Sequence, residues 1–325
     1  MLDIISKALS RNIVHYEYQT TRLHGGTVGE VELLEGEATP EGGGALPFKI
    51  VRKTQKKWAR PGDEDSWRRE YDLYVSGLDA VFTDALRWPE CYRAEFNDDA
   101  TVLWMEYIDG ASGYELTPGM CERAAVELGR FQGKLYTGQP AVLQTLTNLS
   151  KADGMKEFYR YYRSRKDVYD YIRAGNCEIP KHLCRMITDM DEKSDEIWKR
   201  VEALPVVLCH RDFWVTNIFF KDDKIILIDW DTAGRGYMGE DIISLIADEA
   251  DAEQMIELYK TCVPAYLKGF AEYADISHIN DLYIYERIVL HFGYRLAEWF
   301  LHAKRHEDKA LFKKVLQKIH EMRTC

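Results

Sequence analysis

The first hundred residues alternate short apolar runs with turn-forming residues, which predicts β-strands joined by tight turns. A helix should follow the capping candidates at 63–66, because Trp67, Tyr71 and Tyr74 recur at the spacing of one helix face. The apolar run at 102–108 then predicts a buried strand. We therefore expect an antiparallel sheet with one main helix. Its first strands are predicted at 16–23, 28–34 and 47–53.

Beyond Pro118 the apolar spacing becomes that of helices, and this pattern continues almost to the end of the chain. The segment 205–231 interrupts it with short apolar runs around a polar turn at 221–224, which predicts a β-hairpin. The pattern as a whole predicts an α+β fold whose second part is larger and mostly helical. Its clearest helical segments are 121–136, 155–172, 189–204, 252–273 and 280–304.

Composition narrows the classes of function. The 43 Lys and Arg residues against 54 Asp and Glu give a net charge of −11, which argues against nucleic-acid binding. The basic stretch 49–60 could form a local patch, but it also suits a strand that runs into a solvated loop. No apolar run approaches the ~20 residues that span a bilayer. Seven scattered cysteines argue against structural zinc and suit a reducing compartment, so we expect a cytoplasmic protein with no membrane partner.

Three polar residues in the interrupting segment have the chemistry that phosphoryl transfer from a nucleotide requires. Asp212 can accept the proton of a substrate hydroxyl, whereas Asn217 and Asp229 can supply oxygen ligands to Mg²⁺. A hairpin can bring all three to one of its ends. Taken singly, Asp and Asn also cap turns, so the functional interpretation depends on the full set and its spacing.

Two motifs in this segment are separated by a characteristic number of residues. Residues 210–217 read H-R-D-x-x-x-x-N, and residues 228–231 read I-D-W-D about a dozen positions later. Together they resemble the aminoglycoside phosphotransferase and choline kinase family, whose members are relatives of the protein kinases. Arg211 departs from the family pattern, in which this position is usually Gly.

The resemblance implies a fold, a set of cofactors and a class of acceptor. The fold would be a two-lobed protein-kinase-like one, with a nucleotide-binding lobe at 1–107 and a helical lobe at 108–325. The cofactors would be ATP or GTP together with Mg²⁺. The partner would be a small molecule that accepts the phosphoryl group on a hydroxyl.

The same resemblance implies nucleotide-binding residues in the first lobe. Lys53, on the third strand, should bind the phosphates and pair with Glu70 of the helix. Lys49 lies on the same face by period-2 alternation and is the fallback, and ordinary solvated strand lysines are the alternative to both. The strand that leaves this lobe looks like the family's hinge, where backbone groups of Glu106 and Ile108 would meet adenine.

Other positions are assigned weaker or structural roles. The glycine loop at 24–29 lies where a phosphate-covering loop would be, but it does not match G-x-G-x-x-G. His210 is expected to brace the catalytic loop by hydrogen bonding. Asp241 matches the family residue that anchors this loop through backbone hydrogen bonds, although a helix N-cap explains it equally well.

The motifs do not define the acceptor. Aminoglycosides and choline are cations, so Asp231, Glu298 and the aromatic helical segments are candidates to contact a cationic acceptor such as an aminoglycoside or an amino alcohol. Aromatic residues at helical spacing are more often part of a core.

Two other functions compete with this one. A protein kinase is suggested by Arg211, but 229–241 leaves no room for a long activation loop. An inactive nucleotide-binding module is the second alternative, which the presence of Asp212, Asn217 and Asp229 disfavours. A P-loop NTPase is excluded, because G-x-x-x-x-G-K-[ST] is absent from the sequence.

Overall fold

The computed structural model describes residues 1–23, 29–58, 63–175, 177–248 and 251–324. The chain divides into two compact units, and each is described by itself below. Among the described residues, no helix is both long and apolar enough to cross a membrane. Unit 1 consists of Met1–Ala111, Pro140–Leu149 and Phe219–Ala233, and unit 2 of Ser112–Gln139, Ser150–Ile218 and Gly234–Cys325.

The main sheet belongs to unit 1, and its strands are antiparallel in the order β1–β2–β3–β6–β5. A second sheet has the order β4–β10–β9–β7, and β8 pairs with β11 within unit 2. The strands are β1 (Ile13–Arg22), β2 (Glu30–Pro40), β3 (Leu46–Lys56), β4 (Leu86–Arg87), β5 (Cys91–Asn97), β6 (Ala100–Glu106), β7 (Ala111–Ser112), β8 (Val206–Cys209), β9 (Ile218–Lys221), β10 (Lys224–Leu227) and β11 (Gly234–Tyr237).

Helices make up most of unit 2. Those described in unit 2 are α3 (Pro118–Gly138), α5 (Gly154–Arg163), α6 (Lys166–Arg173), α7 (Lys181–Glu192), α8 (Ser194–Glu202), α9 (Glu240–Ala247), α10 (Met255–Ala271), α11 (Leu282–His302) and α12 (His306–Met322). Unit 1 contains α1 (Leu2–Leu9), α2 (Ser66–Tyr74) and α4 (Ala141–Thr145). Short 3₁₀ helices lie at Leu78–Val81, Gly113–Glu115, Val215–Asn217 and Trp230–Thr232.

Strand β3 is covered on both faces, which explains how a lysine comes to be buried there. Phe48 and Ile50 point into an apolar cluster under α1, while Lys53 and Gln55 lie buried on the opposite face. Helix α2 packs against β3 and β6. Since successive side chains alternate between the two faces of a strand, the covering helix on each side decides which residues become buried.

Local sequence sets the ends of two elements near the site. Thr117 accepts a hydrogen bond from the backbone N–H of Met120 and Pro118 follows it, which begins α3. Asp222 and Asp223 have φ angles of 47° and 61° in the turn between β9 and β10. Two consecutive left-handed residues suit a tight hairpin turn, and Asp is among the residues that tolerate this conformation.

Close contact between α3 and α10 forms much of the core of unit 2. A Cβ at Gly129 of α3 would lie 2.2 Å from the carbonyl oxygen of Tyr266, and one at Gly269 of α10 would lie 2.1 Å from that of Val126. Glycines on both helices therefore allow the two backbones to approach each other.

The predicted elements are confirmed in kind, and several bounds are wrong. The strands and the helix predicted in the first hundred residues are present, as is the hairpin around 221–224, which β9 and β10 form. The helix predicted at 155–172 is two helices that break at Ser164–Arg165, where Arg165 leaves the helical conformation. The aromatic pattern runs across this break because α5 and α6 each bury an apolar face. The helix predicted at 189–204 is likewise divided between α7 and α8.

Candidate active site

Lys53 is the centre of a buried charged cluster in unit 1. Its ammonium nitrogen lies 2.5 Å from Oε2 of Glu70 and 2.5 Å from Oδ1 of Asp229, and its side chain is only 10% exposed. Strand β3 supplies the lysine, α2 supplies the glutamate, and Asp229 follows β10. By contrast, the side chain of Lys49 is 45% exposed and pairs with Glu35 at 3.1 Å.

Burial and neighbouring charges shift the pKa of both Lys53 and Glu70. Burial by itself would lower the pKa of Lys53, but Glu70 and Asp229 outweigh burial and raise it, so the lysine stays charged. Burial raises the pKa of Glu70 despite the neighbouring ammonium, and Asp229 adds to this rise. Asp231 acts in the same direction on both groups.

Asp229 has a backbone conformation that residues other than glycine rarely adopt. Its φ of 65° and ψ of 64° are left-handed, and it precedes the 3₁₀ helix at Trp230–Thr232. Trp230 is buried, donates its indole N–H to the carbonyl oxygen of Leu227 at 3.0 Å, and meets Trp88 edge-on. The backbone N–H of Trp230 also donates to Glu70 at 3.3 Å. The packing of Trp230 therefore fixes the direction in which Asp229 points.

Arg69 is a buried residue of unit 1 that the sequence patterns did not single out. It donates to the carbonyl oxygens of Asn148 at 2.7 Å and Asp231 at 2.8 Å, and to Oδ1 of Asp63 at 2.5 Å. It thereby ties the segment after Asp229 to α2. Since two of these acceptors are backbone carbonyls, no residue pattern in the sequence could have indicated the contacts.

The predicted adenine contacts lie at the end of β6 and just beyond it. The backbone N–H of Glu106 donates to the carbonyl oxygen of Glu90 at 2.8 Å, and its carboxylate accepts two hydrogen bonds from Arg87. Ile108 is buried. The predicted phosphate-covering loop at 24–29 lies outside the described residues, apart from Gly29.

In unit 2, Asp212 and Asn217 are joined directly by hydrogen bonds. The side-chain amide of Asn217 donates to the carbonyl oxygen of Asp212 at 2.9 Å and to its carboxylate Oδ2 at 2.8 Å. The backbone N–H of Asp212 donates to Nδ1 of the buried His210 at 3.3 Å, so His210 contacts the loop by hydrogen bonding. An amide that gives its nitrogen to Asp212 presents its carbonyl oxygen as the atom able to bind a metal ion.

Asp241 holds the other side of this loop. Its carboxylate accepts the backbone N–H groups of His210 at 3.0 Å and Arg211 at 2.7 Å, and the side-chain amide of Gln132 at 2.8 Å. Burial raises the pKa of Asp241 to about 6, and the two backbone N–H groups oppose the rise. Gln132, which the sequence did not reveal, also accepts a hydrogen bond from Tyr266, so three elements brace one carboxylate.

Arg211, the residue that departs from the family pattern, is bound within unit 2. It has a φ of 67° and donates to Oε1 of Glu240 at 2.9 Å, to Oγ of Ser150 at 2.6 Å and to the carbonyl oxygen of Arg235 at 2.7 Å. These contacts give Arg211 a structural role in supporting the loop. They weaken the argument for a protein kinase that its presence suggested.

Unit 2 also contains a cavity of about 670 Å³ that begins beside Val215, three residues after Asp212. Its wall is mostly apolar and aromatic, with two carboxylates and one lysine. Glu298, a predicted contact of a cationic acceptor, is instead paired with Arg165 at 2.6 Å. Residues that line the cavity include Gly113, Tyr114, Leu116, Asp248, Asp251, Phe292, Leu296, Trp299, Phe312 and Lys314.

The donors available for a divalent cation are few and are oxygen atoms. The described residues contain no group of three or more His, Cys, Asp or Glu side chains placed to hold a metal. In unit 1, Asp229 offers a carboxylate oxygen, and in unit 2, Asn217 offers an amide carbonyl oxygen. Each is an oxygen donor of the kind that Mg²⁺ prefers, and this ion takes most of its other ligands from phosphates and water.

Comparison with known proteins decides the family. A model of the phosphotransferase enzyme family (APH) matches residues 81–276, which is more than half of the chain. This chain belongs to the phosphotransferase enzyme family. The matched range includes Asp212, Asn217 and Asp229, whereas Lys53 and Glu70 precede it.

The similar proteins agree with the family. Protein LicA of Haemophilus influenzae is 25% identical over 231 residues, which cover 69% of this chain and 79% of LicA. A choline kinase from Cryptosporidium parvum has a TM-score of 0.57 at 15% identity, covering 94% of this chain and 89% of that one. Amicoumacin kinase hAmiN, solved with AMP-PNP, Ca²⁺ and Ami, has a TM-score of 0.53 at 16% identity, covering 98% and 92%. The predicted two-lobed protein-kinase-like fold is confirmed, and the chain is a phosphotransferase.

Proposed function

We propose that this phosphotransferase transfers the γ-phosphoryl group of ATP, in the presence of Mg²⁺, to the hydroxyl group of a small molecule. The observation that supports the proposal most strongly is the buried Lys53, which lies 2.5 Å from both Glu70 and Asp229. A buried ammonium fixed by two carboxylates is poised to meet phosphate oxygens. The family and the nucleotide-bound amicoumacin kinase support the choice of ATP over an unrelated donor.

Each residue has a role in the proposal. Asp212 orients the acceptor hydroxyl and takes up its proton, and Asn217 holds Asp212 by the two hydrogen bonds described above. Lys53 binds phosphate oxygens and Glu70 keeps the lysine in position. The backbone of Glu106 and Ile108 binds the base. Asn217 and Asp229 would hold Mg²⁺, which neutralises developing negative charge on the phosphates when it is bound.

The cavity beside Val215 is the proposed acceptor site. It lies in the same unit as Asp212, and its volume falls in the range that encloses small molecules. Relatives include a choline kinase and an amicoumacin kinase, so cationic acceptors such as amino alcohols and aminoglycosides belong among the first compounds to test. Neutral sugars and alcohols belong beside them.

A nucleotide-consumption screen tests the proposal. The purified full chain is supplied with ATP or GTP and Mg²⁺, and product formation is followed with aminoglycosides, amino alcohols, sugars, neutral alcohols and a generic protein acceptor. We expect phosphorylation of at least one small hydroxyl compound that depends on Asp212. Phosphorylation of protein alone would establish the kinase alternative, and tight nucleotide binding without any transfer would establish an inactive binding module.

A further inference from the structure

One wall of the cavity in unit 2 carries the chemistry that usually binds an organic cation. Asp248 supplies a carboxylate there, and Phe292 and Trp299 supply aromatic faces. Carboxylates and aromatic rings together attract ammonium and guanidinium groups. An acidic, aromatic wall of this kind would suit a substrate such as choline if no other cation were paired with Asp248.

Arg295 of α11 already makes these contacts. Its Nη2 lies 3.4 Å from Oδ1 of Asp248, and its guanidinium carbon lies 4.4 Å from the ring centre of Trp299 and 5.5 Å from that of Phe292. The side chain is 15% exposed, with its guanidinium carbon 5.6 Å from the ring centre of Phe158 as well. Arg295 does not itself line the cavity. The chain's own cation therefore lies next to this wall, where it pairs with Asp248 and packs against the rings of Phe292 and Trp299.

The second carboxylate of the cavity also has a cation close to it. Asp251 and Lys314 both line the cavity, and the charge of Asp251 contributes to raising the pKa of Lys314, after the larger effect of Glu253. Lys314 lies 2.6 Å from Glu253, and Lys318 lies 3.9 Å from it. Lys318 also lies 3.4 Å from Glu321. The charged residues that line the cavity are Asp248, Asp251 and Lys314, and Arg295 adds a positive charge next to Asp248.

We propose that Arg295 determines acceptor specificity by excluding cations, so that the acceptor is an uncharged hydroxyl compound where it meets the wall formed by Asp248, Phe292 and Trp299. The inference rests on the proposed function, because it takes the cavity to be the acceptor site. A quaternary ammonium at this wall would be repelled by the guanidinium charge next to the wall and would find the carboxylate of Asp248 already paired. A neutral body packs on the same aromatic faces without either cost.

Choline and its uncharged isostere 3,3-dimethylbutan-1-ol form a matched pair of probes, because they share shape and hydroxyl group and differ in charge. Their binding to the full chain is measured by calorimetry without nucleotide, and their phosphorylation by a coupled assay. For the natural sequence we expect the isostere to bind at least about tenfold more tightly than choline, the change that one charge contact of ordinary strength produces.

Variants of Arg295 test the cause. Arg295→Ala should raise the affinity for choline at least about tenfold and leave that for the isostere within about twofold. Arg295→Lys retains the charge and should continue to exclude choline. Asp248→Asn added to Arg295→Ala should remove the gain. Arg200→Ala, which deletes an exposed arginine paired with Glu286 outside the cavity lining, should change neither affinity.

Arg295→Met keeps the apolar stem and replaces the alanine variant if thermal unfolding shows that the latter is not folded. The inference is overturned if the natural chain binds choline more tightly than the isostere, if neither probe binds to any variant, or if the folded variants gain no choline affinity. A binding pattern as expected, together with no phosphorylation of any compound in the wider screen, would leave the cation exclusion standing and would reject the proposed function instead.

Discussion

The side-chain amide of Asn217 donates two hydrogen bonds to Asp212, one to its carbonyl oxygen at 2.9 Å and one to its carboxylate at 2.8 Å. Asn217 thus has two tasks in the proposed mechanism, since its nitrogen positions the proton acceptor and its oxygen can bind magnesium. Replacement by a carboxylate of the same size separates these tasks, because it keeps an oxygen ligand and removes both donors.

We expect Asn217→Asp to lower kcat about 10²-fold or more and to move the acid limb of the pH–rate profile upward by about one unit. A second carboxylate beside Asp212 makes both groups harder to ionise. The pH dependence of kcat/KM for the acceptor measures this. Asn280→Asp, at an exposed position before α11, is the matched control. A lower rate with an unshifted pH–rate profile would show that Asn217 contributes to the rate without affecting the ionisation of Asp212.

The ion pairs of Lys53 predict a loss of both stability and nucleotide affinity. Lys53→Met leaves Glu70 and Asp229 without their shared cation, which should cost about 3 kcal/mol of unfolding free energy. The additional change Glu70→Leu should restore part of this loss, because it removes one of the two buried-cluster carboxylates that lost the lysine. Urea unfolding measures the stability, and calorimetry with Mg-ATP measures the affinity.

Lys49→Met is the control for that prediction, because Lys49 lies on the same strand but is exposed and paired with Glu35. It should leave the unfolding free energy and the nucleotide affinity unchanged within error. Equal effects of the two lysine variants would contradict the role assigned to Lys53.

Close packing between α3 and α10 predicts a stability effect with an internal control. A methyl group at Gly129 would lie 2.2 Å from the carbonyl oxygen of Tyr266, so Gly129→Ala should destabilise the chain by about 1–3 kcal/mol. Gly119→Ala, in the same helix, meets no heavy atom within 4 Å and should leave stability equal or slightly higher. Thermal unfolding of the two variants provides the comparison, and a neutral Gly129→Ala would mean that the helices can move apart at little cost.

The sequence predicted those elements whose patterns repeat locally. Alternation along β3 and the motif resemblance together pointed to Lys53 and Glu70, which lie 2.5 Å apart. Interruptions of a helix that no Pro or Gly marks were missed. One lies at Ser164–Arg165, where the apolar faces of α5 and α6 continue the same pattern.

Contacts between distant segments could not be predicted from the sequence. Arg69 binds backbone carbonyls that only the fold brings near it, and Gln132 reaches Asp241 across 109 positions of the chain. Arg295 lies in a helical pattern that gives no sign of a special role for an arginine. Only the fold brings Asp248 and Trp299 next to it. Such residues have partners that are set by packing and leave no periodic signal.

Asp241 makes stability depend on pH in a defined direction. Burial raises its pKa in the folded state to about 6, above the ordinary value of ~3.9, so between about pH 4 and 6 the native state holds a proton that the unfolded chain has lost. This contribution favours the native state below pH 4 and is lost as the pH rises through 6, a change of roughly 3 kcal/mol.

Asp241→Asn removes that titration. The unfolding free energy of the variant minus that of the natural chain should therefore rise by roughly 3 kcal/mol between pH 4 and pH 7. Urea unfolding at several pH values measures the difference, with the exposed Asp3→Asn as control. A difference that stays constant with pH, or falls, would mean that the three N–H donors keep Asp241 ionised throughout this range.

In the proposed mechanism, Asp212 serves the chemical step while Asp229 serves the binding of the metal and nucleotide. The most direct measurement compares Asp212→Ala and Asp229→Ala in Mg-ATP binding by calorimetry and in turnover of the acceptor identified by the screen. We predict that Asp212→Ala binds Mg-ATP within about threefold of the natural chain but loses turnover by at least about 10³-fold, whereas Asp229→Ala loses Mg-ATP binding itself. Undiminished phosphotransfer by Asp212→Ala would contradict the account.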